Sequence, residues 1–422
     1  MSAIVISPGP GDFETRLRPP GSKSHTIRAL FAAASSTGES RLRDPLDSQD
    51  TKHARDCLSG IGAVIDDTRE DEWVVVGTGG RFTPPRRSLD AGESGLTTRL
   101  LLGVAPLVPG PMEIIGRGRL PLRPMTDLLD YLRDRGVAVS AEYPWRIDPE
   151  RVTPVRSVSF DDPASSQAIS AVLFASAMEP EGVRIEVANL RSSSAYVEMT
   201  VGVMRHFGGS VDLAADGSMW VAPTGYAGTS YAIPCDASSS VYPAAAAAVT
   251  GGRAEISGDL GDHPDVMFFD VLEEMGCRVE RGSGMTVVYG PERLSGVDVD
   301  MSHAPDAAVC LAVVAAVADG TTRIAGLESL RLKESDRLSA LEGELSRLGI
   351  GARAGTDHLV IDPGPIHAGT LASHNDHRIA MSLAILGLVA PGVVIEDPQV
   401  VGKTWPNYWE WLESTGATTE RI

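Results

Sequence analysis

The segment YLRDRGVAVS, residues 131–140, shows how this chain is organised. Its first half has apolar residues at helical spacing, and its second half alternates apolar and polar residues as a strand does. Gly136 lies at the junction, where a left-handed residue ends a helix and releases the chain into a strand. The same pattern recurs at CLSGIGAVID, MRHFGGSVDL, LEEMGCRVER, LSRLGIGARA and WLESTGATTE. Successive copies of the glycine are 67 to 74 residues apart, which indicates six internal repeats.

Each repeat also contains a second helix, which is apolar on nearly every face and begins with polar residues. These helices start near Ser24, Ser94, Ser165, Ser238, Asp306 and Asp376. A helix that is apolar all round is buried. The segments WVVVG (73–77), VRIEVANL (183–190) and MTVVYG (285–290) predict strands between the helices. The sequence therefore predicts an α/β (α+β) protein of six units, and because six units exceed one core, two domains are expected.

The composition excludes several classes of partner. The formal net charge of the 422 residues is −19, and such a chain repels polyanions, so nucleic acid is not expected as a partner. We see no secretory signal and no apolar stretch long enough for a bilayer, which predicts a cytoplasmic protein without a membrane segment. The four cysteines are scattered without a CxxC pair, which predicts buried thiols in a reducing compartment.

Positive charge is concentrated near the polar helix starts. Only 4 of the 37 basic residues are lysine, and Lys23, Lys333 and Lys403 lie in such contexts. Lysine offers a titratable proton that arginine does not. In PGSKSHTIRAL (20–30), two cations and three hydroxyls gather where a helix begins, although the segment does not match the GxxxxGK[ST] phosphate loop. Further cations near helix starts are Arg28, Arg99, Arg123, Arg331, Arg337 and Arg378. Any one of them could be a solvated surface charge, but together they fit two anionic groups.

Candidates for proton transfer and phosphate binding lie in the same segments. Carboxylates and a histidine near the helix starts are Asp306, Glu334, Asp376 and His377. Helix capping or a surface ion pair is the alternative role for each. Hydroxyl and amide groups cluster at Ser165, Ser166 and Gln167, and again at Ser192, Ser193 and Ser194 before Tyr196. The spacing supports neither a Ser–His–Asp triad nor a metal site.

Taken together, these motifs resemble those of the 5-enolpyruvylshikimate-3-phosphate synthase family. The matching segments, in order, are PGSKSHTIRAL, GESGLTTRLL, LPLRPM, SSQAISAVLFA, AYVEMT, DAAVCLAVVAAVADGTT, LRLKESDR, NDHRIAMS and VGKTWP. They cover about residues 15–415, and LRLKESDR together with DHRIAM is the most specific part of the resemblance.

The resemblance implies the enolpyruvyl transferase fold, with two domains that each contain three βαβαββ units and buried parallel helices. It assigns residues 1–19 and 236–422 to one domain and residues 20–235 to the other, with the active site in the cleft between them. The implied reaction transfers the enolpyruvyl group of phosphoenolpyruvate to the 5-hydroxyl of shikimate 3-phosphate in the shikimate pathway. The resemblance implies a monomer, no metal and no organic cofactor.

The resemblance also assigns roles to individual residues. The implied shikimate 3-phosphate contacts are Ser24, Arg28, Ser165, Ser166, Ser193, Tyr196, Asp306 and Lys333. The implied phosphoenolpyruvate contacts are Lys23, Gly95, Arg123, Gln167, Arg337, Arg378 and Lys403. Asp306 is the expected base near the attacking hydroxyl, and the expected proton-transfer groups at the other substrate are Glu334 and Lys23, with His377 as a further candidate.

Four positions depart from the family pattern, namely Ile27, Glu93, Leu96 and Ser329, where Asn, Asn, Thr and Asn are usual. A carboxylate at position 93 should repel an anionic substrate unless it pairs with Lys23 or Arg99. We therefore expect weaker phosphoenolpyruvate binding or a changed acceptor.

Two further alternatives remain at this point. A paralogue could use another cyclic alcohol, or the chain could be a non-catalytic sensor of phosphorylated metabolites. Asp306 and Glu334 argue against a sensor, because anion binding gains nothing from carboxylates. UDP-N-acetylglucosamine enolpyruvyl transferase carries a cysteine in the loop that corresponds to PMEIIGRGRLPLRPM (111–125), which has none.

Overall fold

The computed structural model describes residues 2–9, 11–190 and 194–422, and its contacts divide the chain into two compact units. We call Gly21–Ile233 the 21–233 unit, and Pro234–Ile422 together with Met1–Pro20 the 234–422 unit. The helices of the 21–233 unit are α1 Lys23–Ser35, α2 Gln49–Gly60, α3 Gly95–Val104, α4 Thr126–Asp134, α5 Ser166–Ser176 and α6 Ala195–His206. Those of the 234–422 unit are α7 Ala237–Thr250, α8 Met267–Glu274, α9 Pro305–Ala315, α10 Arg337–Arg347, α11 His377–Leu386 and α12 Tyr408–Ser414.

In the part of the chain that the structure describes, the strands are short and form three four-stranded sheets in each unit. The first group is β1 Ala3–Ser7, β2 Glu14–Leu17, β3 Glu39–Arg43, β4 Val64–Asp66, β5 Glu72–Val76, β6 Leu89–Asp90, β7 Met112–Ile115 and β8 Ala138–Val139. The second group is β9 Trp145–Asp148, β10 Ser157–Asp161, β11 Val183–Ala188, β12 Val211–Leu213, β13 Met219–Val221, β14 Ser230–Ala232, β15 Arg253–Ser257 and β16 Arg278–Gly282. The third group is β17 Met285–Tyr289, β18 Asp298–Asp300, β19 Thr322–Ala325, β20 Gly351–Ala354, β21 Leu359–Asp362, β22 Gly369–Leu371, β23 Val393–Glu396 and β24 Thr418–Arg421.

All six sheets have one topology, which confirms the predicted α/β repeat. In the sheet β6-β7-β9-β8, β6 pairs parallel with β7, while β9 pairs antiparallel with both β7 and β8. The same arrangement holds in β10-β11-β13-β12 and β18-β19-β21-β20. The remaining sheets complete the pattern with a strand from a distant part of the chain. The borrowed strands are β14 beside β3, β2 beside β15 and β1 between β23 and β24.

The helix-ending glycines have the predicted conformation. The φ angles of Gly62, Gly136, Gly208, Gly276, Gly349 and Gly416 lie between +77° and +112°. Each glycine follows a helix by two residues, and a strand begins two or three residues later. Since L residues with a side chain rarely adopt positive φ, glycine is the residue that allows this sharp change of direction.

The second, apolar helix of each repeat forms the core of its unit. Nearly every residue of α1, α3 and α5 is buried, and the same holds for α7, α9 and α11. One hydrophobic cluster forms around the first three helices and another around the last three. The predicted starts of these helices are correct to within one or two residues. The α9 helix starts one residue before Asp306, because Pro305 suits the first helical position.

The four cysteines are buried and unbridged, as predicted. Among the described residues, no helix has both the length and the apolar character needed to span a membrane.

Candidate active site

The start of α1 holds the first predicted cation. Ser22 caps the helix, and its side chain accepts a hydrogen bond from the His25 backbone N–H. The Lys23 side chain lies in the first turn, and its Nζ is 3.2 Å from Oδ2 of Asp50, a nearly buried carboxylate on α2. Asp50 therefore holds Lys23 near the positive end of α1, where an anion is favoured.

Arg28, one turn further along α1, contacts two other residues predicted to bind shikimate 3-phosphate, Ser24 and Tyr196. Only 1% of Arg28 is exposed. Its Nε donates to Thr200 Oγ1 at 2.8 Å, and its two Nη groups donate to the Ser24 and Tyr196 carbonyl oxygens at 3.1 and 3.3 Å. Its guanidinium carbon also lies 5.9 Å from the centre of the Tyr196 ring. Ser24, Arg28 and Tyr196 are thus brought together by one buried guanidinium.

A second group of predicted residues meets around Gly95, the first residue of α3. Arg99 Nη1 donates to Gln167 Oε1 at 2.8 Å, and Arg99 Nη2 donates to the Pro124 carbonyl oxygen at 2.9 Å. A β-carbon added at Gly95 would lie 2.6 Å from Arg123 Nη1 and 2.9 Å from Arg99 Nη1. Two guanidinium groups and an amide therefore converge on the bare α-carbon of Gly95, an arrangement suited to a small anion.

The serines at the start of α5 are also arranged for anion binding. Ser165 caps the helix and accepts a hydrogen bond from the Gln167 backbone N–H at 3.3 Å, while Ser166 is buried in the first turn. Predicted Ser193 lies outside the described residues.

The departures from the family pattern have different structural settings. Ile27 is fully buried and Leu96 is 7% exposed, and both side chains pack in the hydrophobic core of the 21–233 unit. The Glu93 carboxylate lies against Gly118 in the loop before Arg123. A β-carbon added at Gly118 would be only 2.5 Å from Glu93 Oε1. The Oγ atom of Ser329 is buried without a hydrogen-bond partner among the described residues.

In the 234–422 unit, Arg337 is the centre of a buried charge cluster. Only 1% of Arg337 is exposed. Its Nε is 2.7 Å from Asp376 Oδ2, its Nη1 is 2.8 Å from Asp306 Oδ1, and its Nη2 is 3.1 Å from Glu334 Oε2. Three carboxylates from separate segments thus share one guanidinium, which fixes their positions relative to one another.

Asp306 is held by two further cations. Its Oδ1 lies 3.4 Å from Lys333 Nζ, and its Oδ2 lies 3.2 Å from Arg378 Nη2. Burial opposes ionisation of this carboxyl, but Arg378, Lys333 and Arg337 overcome that effect and hold its pKa well below its usual range. Asp306 is therefore ionised at neutral pH and can accept a proton only if those cations are drawn to other anions.

Glu334 and His377 complete the predicted proton-transfer groups. Glu334 Oε1 lies 3.1 Å from Lys403 Nζ, so Glu334 connects Lys403 with Arg337. His377 is 1% exposed, and its Nδ1 is 3.7 Å from Asp376 Oδ1. Asp376 also caps α11 by accepting the Arg378 backbone N–H at 3.0 Å. The cluster therefore combines anion-binding cations with carboxylates able to move protons.

Several groups in these clusters were not predicted as site residues. Asp50 and Thr200 hold Lys23 and Arg28, and both lie within helices where nothing in the local sequence marks a functional role. Asp265 is a fully buried carboxylate whose Oδ2 accepts a hydrogen bond from Ser238. A usable signal for Asp265 was its place in GDHPDVMFF, a polar stretch immediately before an apolar helix.

Comparisons with known proteins cover nearly the whole chain. The sequence model of the EPSP synthase (3-phosphoshikimate 1-carboxyvinyltransferase) family matches residues 8–412. The 3-phosphoshikimate 1-carboxyvinyltransferase of Methanospirillum hungatei is 36% identical over 404 residues, which are 93% of this chain and 94% of that protein. The enzyme of the same name from Ralstonia pickettii is 38% identical over 92% of this chain and 94% of that protein.

Two solved structures share the fold. EPSP synthase from Acinetobacter baumannii has a TM-score of 0.84 and 24% identity, and the match covers 100% of both chains. The enolpyruvyl transferase NikO from Streptomyces tendae has a TM-score of 0.80 and 20% identity over 100% of this chain and 99% of that one. At these identities the two structures confirm the predicted enolpyruvyl transferase fold and carry no more than that.

Proposed function

The chain belongs to the EPSP synthase (3-phosphoshikimate 1-carboxyvinyltransferase) family, and we propose that the two groups of side chains described above carry out that family's reaction. The enzyme transfers the enolpyruvyl group of phosphoenolpyruvate to the 5-hydroxyl of shikimate 3-phosphate and releases phosphate, within the shikimate pathway that leads to chorismate and the aromatic amino acids. The observation that carries the residue-level proposal is the buried Arg337 cluster, in which Asp306 and Glu334 share cations suited to anionic substrates.

The acceptor is proposed to bind through two kinds of contact. The phosphate would accept hydrogen bonds from hydroxyl and backbone N–H groups at the start of α5, which favours a dianion. The ring hydroxyls would meet Ser24 and Tyr196, which Arg28 already holds together. The proposed acceptor residues are Ser24, Arg28, Ser165, Ser166, Ser193, Tyr196, Asp306 and Lys333.

Phosphoenolpyruvate is proposed to bind to arginines and lysines that now contact protein groups. The convergence of Arg123 and Arg99 on Gly95 supports this proposal, because the missing side chain lets two guanidinium groups approach the start of α3, where together they can bind one anion. The proposed contacts are Lys23, Gly95, Arg123, Gln167, Arg337, Arg378 and Lys403.

Asp306 would act as the base for the 5-hydroxyl. In the free protein, cations hold its pKa too low for efficient proton transfer. Anionic substrates would compete for Arg378 and Lys333, so their binding would raise the pKa of Asp306 towards the range in which a carboxylate accepts a proton. Binding itself would therefore activate the base.

Glu334 would transfer protons to and from phosphoenolpyruvate. As the 5-hydroxyl oxygen attacks C2 of phosphoenolpyruvate, a proton must be added at C3, which gives a tetrahedral intermediate. The group that donates this proton must start in its protonated form, and as the resulting base it then removes a proton from C3 while phosphate leaves. Glu334 is proposed for both steps because Lys403 and Arg337 hold one oxygen each, with Lys23 and His377 as further candidates.

The other functions considered are not favoured. The relatives at 36% and 38% identity bear the name 3-phosphoshikimate 1-carboxyvinyltransferase and match more than nine-tenths of this chain. A paralogue with another acceptor, or a sensor that binds without turnover, has no comparable support. A monomeric state stays a prediction, which sedimentation of the purified chain would test.

The direct test is phosphate release from phosphoenolpyruvate and shikimate 3-phosphate, with the product identified by mass spectrometry. We expect turnover in the unmodified chain and a fall in kcat of about 10²- to 10⁴-fold in Asp306→Asn, since a general base is lost. Binding without phosphate release would instead support the sensor, and release only with another cyclic alcohol would support the paralogue.

Asp336→Asn is the matched control. Asp336 lies in the same LRLKESDR segment, but it caps α10 and pairs with Arg331. Asparagine is a good N-cap, so kcat should change by less than about twofold. Unchanged kcat in Asp306→Asn would refute its role as the base, even if the enzyme performs the proposed reaction.

A further inference from the structure

The Arg337 cluster carries more negative than positive charge before any substrate arrives. Its cations are Lys333, Arg337, Arg378 and Lys403. Its carboxylates are Asp306, Glu334 and Asp376, together with Asp236 and Asp265, which both act on Arg378. When all nine groups are ionised, these described residues have one surplus negative charge, although the proposed ligands are both anions. Proton uptake by one carboxylate would remove the surplus.

Asp265 is the carboxylate with the least support for its charged form. It is 0% exposed and lies in the turn Pro264–Val266, just before α8. Its Oδ2 accepts a hydrogen bond from Ser238, but its Oδ1 has no hydrogen-bond partner among the described residues. A buried carboxylate oxygen without a donor is costly when ionised.

The histidine beside Asp265 does not donate a hydrogen bond to this carboxylate through its Nδ1. The Nδ1 of His263 accepts a hydrogen bond from the Asp265 backbone N–H at 3.2 Å, so this nitrogen carries no proton. It lies 3.9 Å from Asp265 Oδ2, where it cannot donate. The carboxyl therefore depends on more distant cations.

Those cations belong to the proposed substrate site. Burial raises the pKa of Asp265 to about 6. Arg378 on α11 opposes this rise, and the negative charge of Asp306 on α9 adds to it. Ser238 on α7 and Lys333 also lower the pKa of Asp265, by smaller amounts. Asp236, directly before α7, and Tyr242 on α7 also act on Arg378, whereas Asp270 on α8 pairs with Arg281. An anion bound to Arg378 or Lys333 would offset the positive potential that keeps Asp265 ionised.

We propose that Asp265 takes up a proton when anionic substrate binds to Lys333 and Arg378. The inference rests on the proposed function, because it requires shikimate 3-phosphate or phosphoenolpyruvate at those cations. Asp265 touches no substrate in this scheme, since it is fully buried. It acts through the charge balance of the cluster and is a positioning residue rather than a catalytic one.

The sign of the pH dependence follows from linkage. Bound anions raise the pKa of Asp265 above its value of about 6 in the free protein, so binding takes up protons between the two values. Affinity contributed by Asp265 therefore increases as pH falls towards about 6. Below the free-state pKa the group is protonated in both states, and its contribution no longer changes.

The test is a calorimetric titration of shikimate 3-phosphate into the full chain at pH 7.0. Buffers of different ionisation enthalpy give the number of protons exchanged on binding. We expect the unmodified chain to take up roughly half a proton more than Asp265→Asn, which has the same shape but cannot titrate. Using the difference between the two proteins removes the titration of the ligand's own phosphate.

The outcomes separate the two proposals. Equal proton uptake in both proteins, with binding intact, would overturn the role of Asp265 and leave the proposed function standing. Failure of the unmodified chain to bind shikimate 3-phosphate would count against the proposed function itself.

If Asp265→Asn does not fold, Ser238→Ala gives the second measurement. It leaves Asp265 in place but removes its hydrogen bond, so the free-state pKa should rise and proton uptake should move to higher pH. An unshifted profile in Ser238→Ala would overturn the inference.

Discussion

Gly95 shows how much can depend on a single missing side chain. In Gly95→Ala, the new β-carbon would lie 2.6 Å from Arg123 Nη1 and 2.9 Å from Arg99 Nη1, so both guanidinium groups must move. We expect the KM for phosphoenolpyruvate to rise by about tenfold or more, equivalent to roughly 1.4 kcal/mol. The KM for shikimate 3-phosphate should stay within about twofold, because Ser24 and Arg28 are untouched. Steady-state kinetics with each substrate varied in turn would measure both.

Gly343→Ala controls for the substitution itself. Gly343 is also a helical glycine, within α10, but a β-carbon added there meets nothing within 4 Å. Alanine should therefore leave both KM values unchanged and favour the helix by up to about 1 kcal/mol. Equal phosphoenolpyruvate KM values for Gly95→Ala and the unmodified chain would show that Arg123 does not bind this substrate from its present position.

At the scale of elements, two of the helix-ending glycines allow the cost of backbone strain to be separated from the cost of a steric clash. Gly416 and Gly349 have nearly equal φ angles, +90° and +88°. A β-carbon at Gly416 meets nothing within 4 Å, whereas one at Gly349 would lie 2.5 Å from His367 Cδ2. Gly416→Ala should therefore lower the free energy of unfolding by about 1–2 kcal/mol through backbone strain alone, and Gly349→Ala should lower it further. Denaturant unfolding of the two variants would measure the difference, and equal losses would show that His367 moves away freely.

These same glycines explain why the elements were predictable. A left-handed helix end strongly favours glycine whatever surrounds it, so Gly62 and its five counterparts reveal the repeat from local sequence. The six buried helices were equally clear, because an apolar surface on every face has no other stable environment. The exchange of β1, β2 and β14 into distant repeats was not visible in the residues, since strand pairing between remote segments leaves no local pattern.

The sequence predicted candidate site residues but not the contacts between them. It marked Arg337 and Asp306 as candidates, but it did not predict that Arg337 contacts Asp306, Glu334 and Asp376 together. Which carboxylate meets which cation is decided by how α9, α10 and α11 pack. For the same reason the sequence could not predict that the Glu93 carboxylate lies against Gly118.

For the whole molecule, the net charge of −19 and the buried cation cluster predict a definite response to salt. Like charges distributed over the surface repel one another in the folded chain, and salt screens this repulsion most strongly below about 0.3 M. Exposed ion pairs such as Arg69–Asp71 are screened too, but each contributes little because water already weakens it. Arg337 and its carboxylates are buried and are screened little.

We therefore expect the Tm to rise steadily from 0.01 to 0.3 M KCl, measured by thermal unfolding at pH 7.5. Sodium chloride should act equally, since screening at these concentrations depends on ionic strength rather than on the identity of the cation. A Tm that falls over this range would mean that attraction within the surface ion pairs contributes more to stability than repulsion among the surface carboxylates removes.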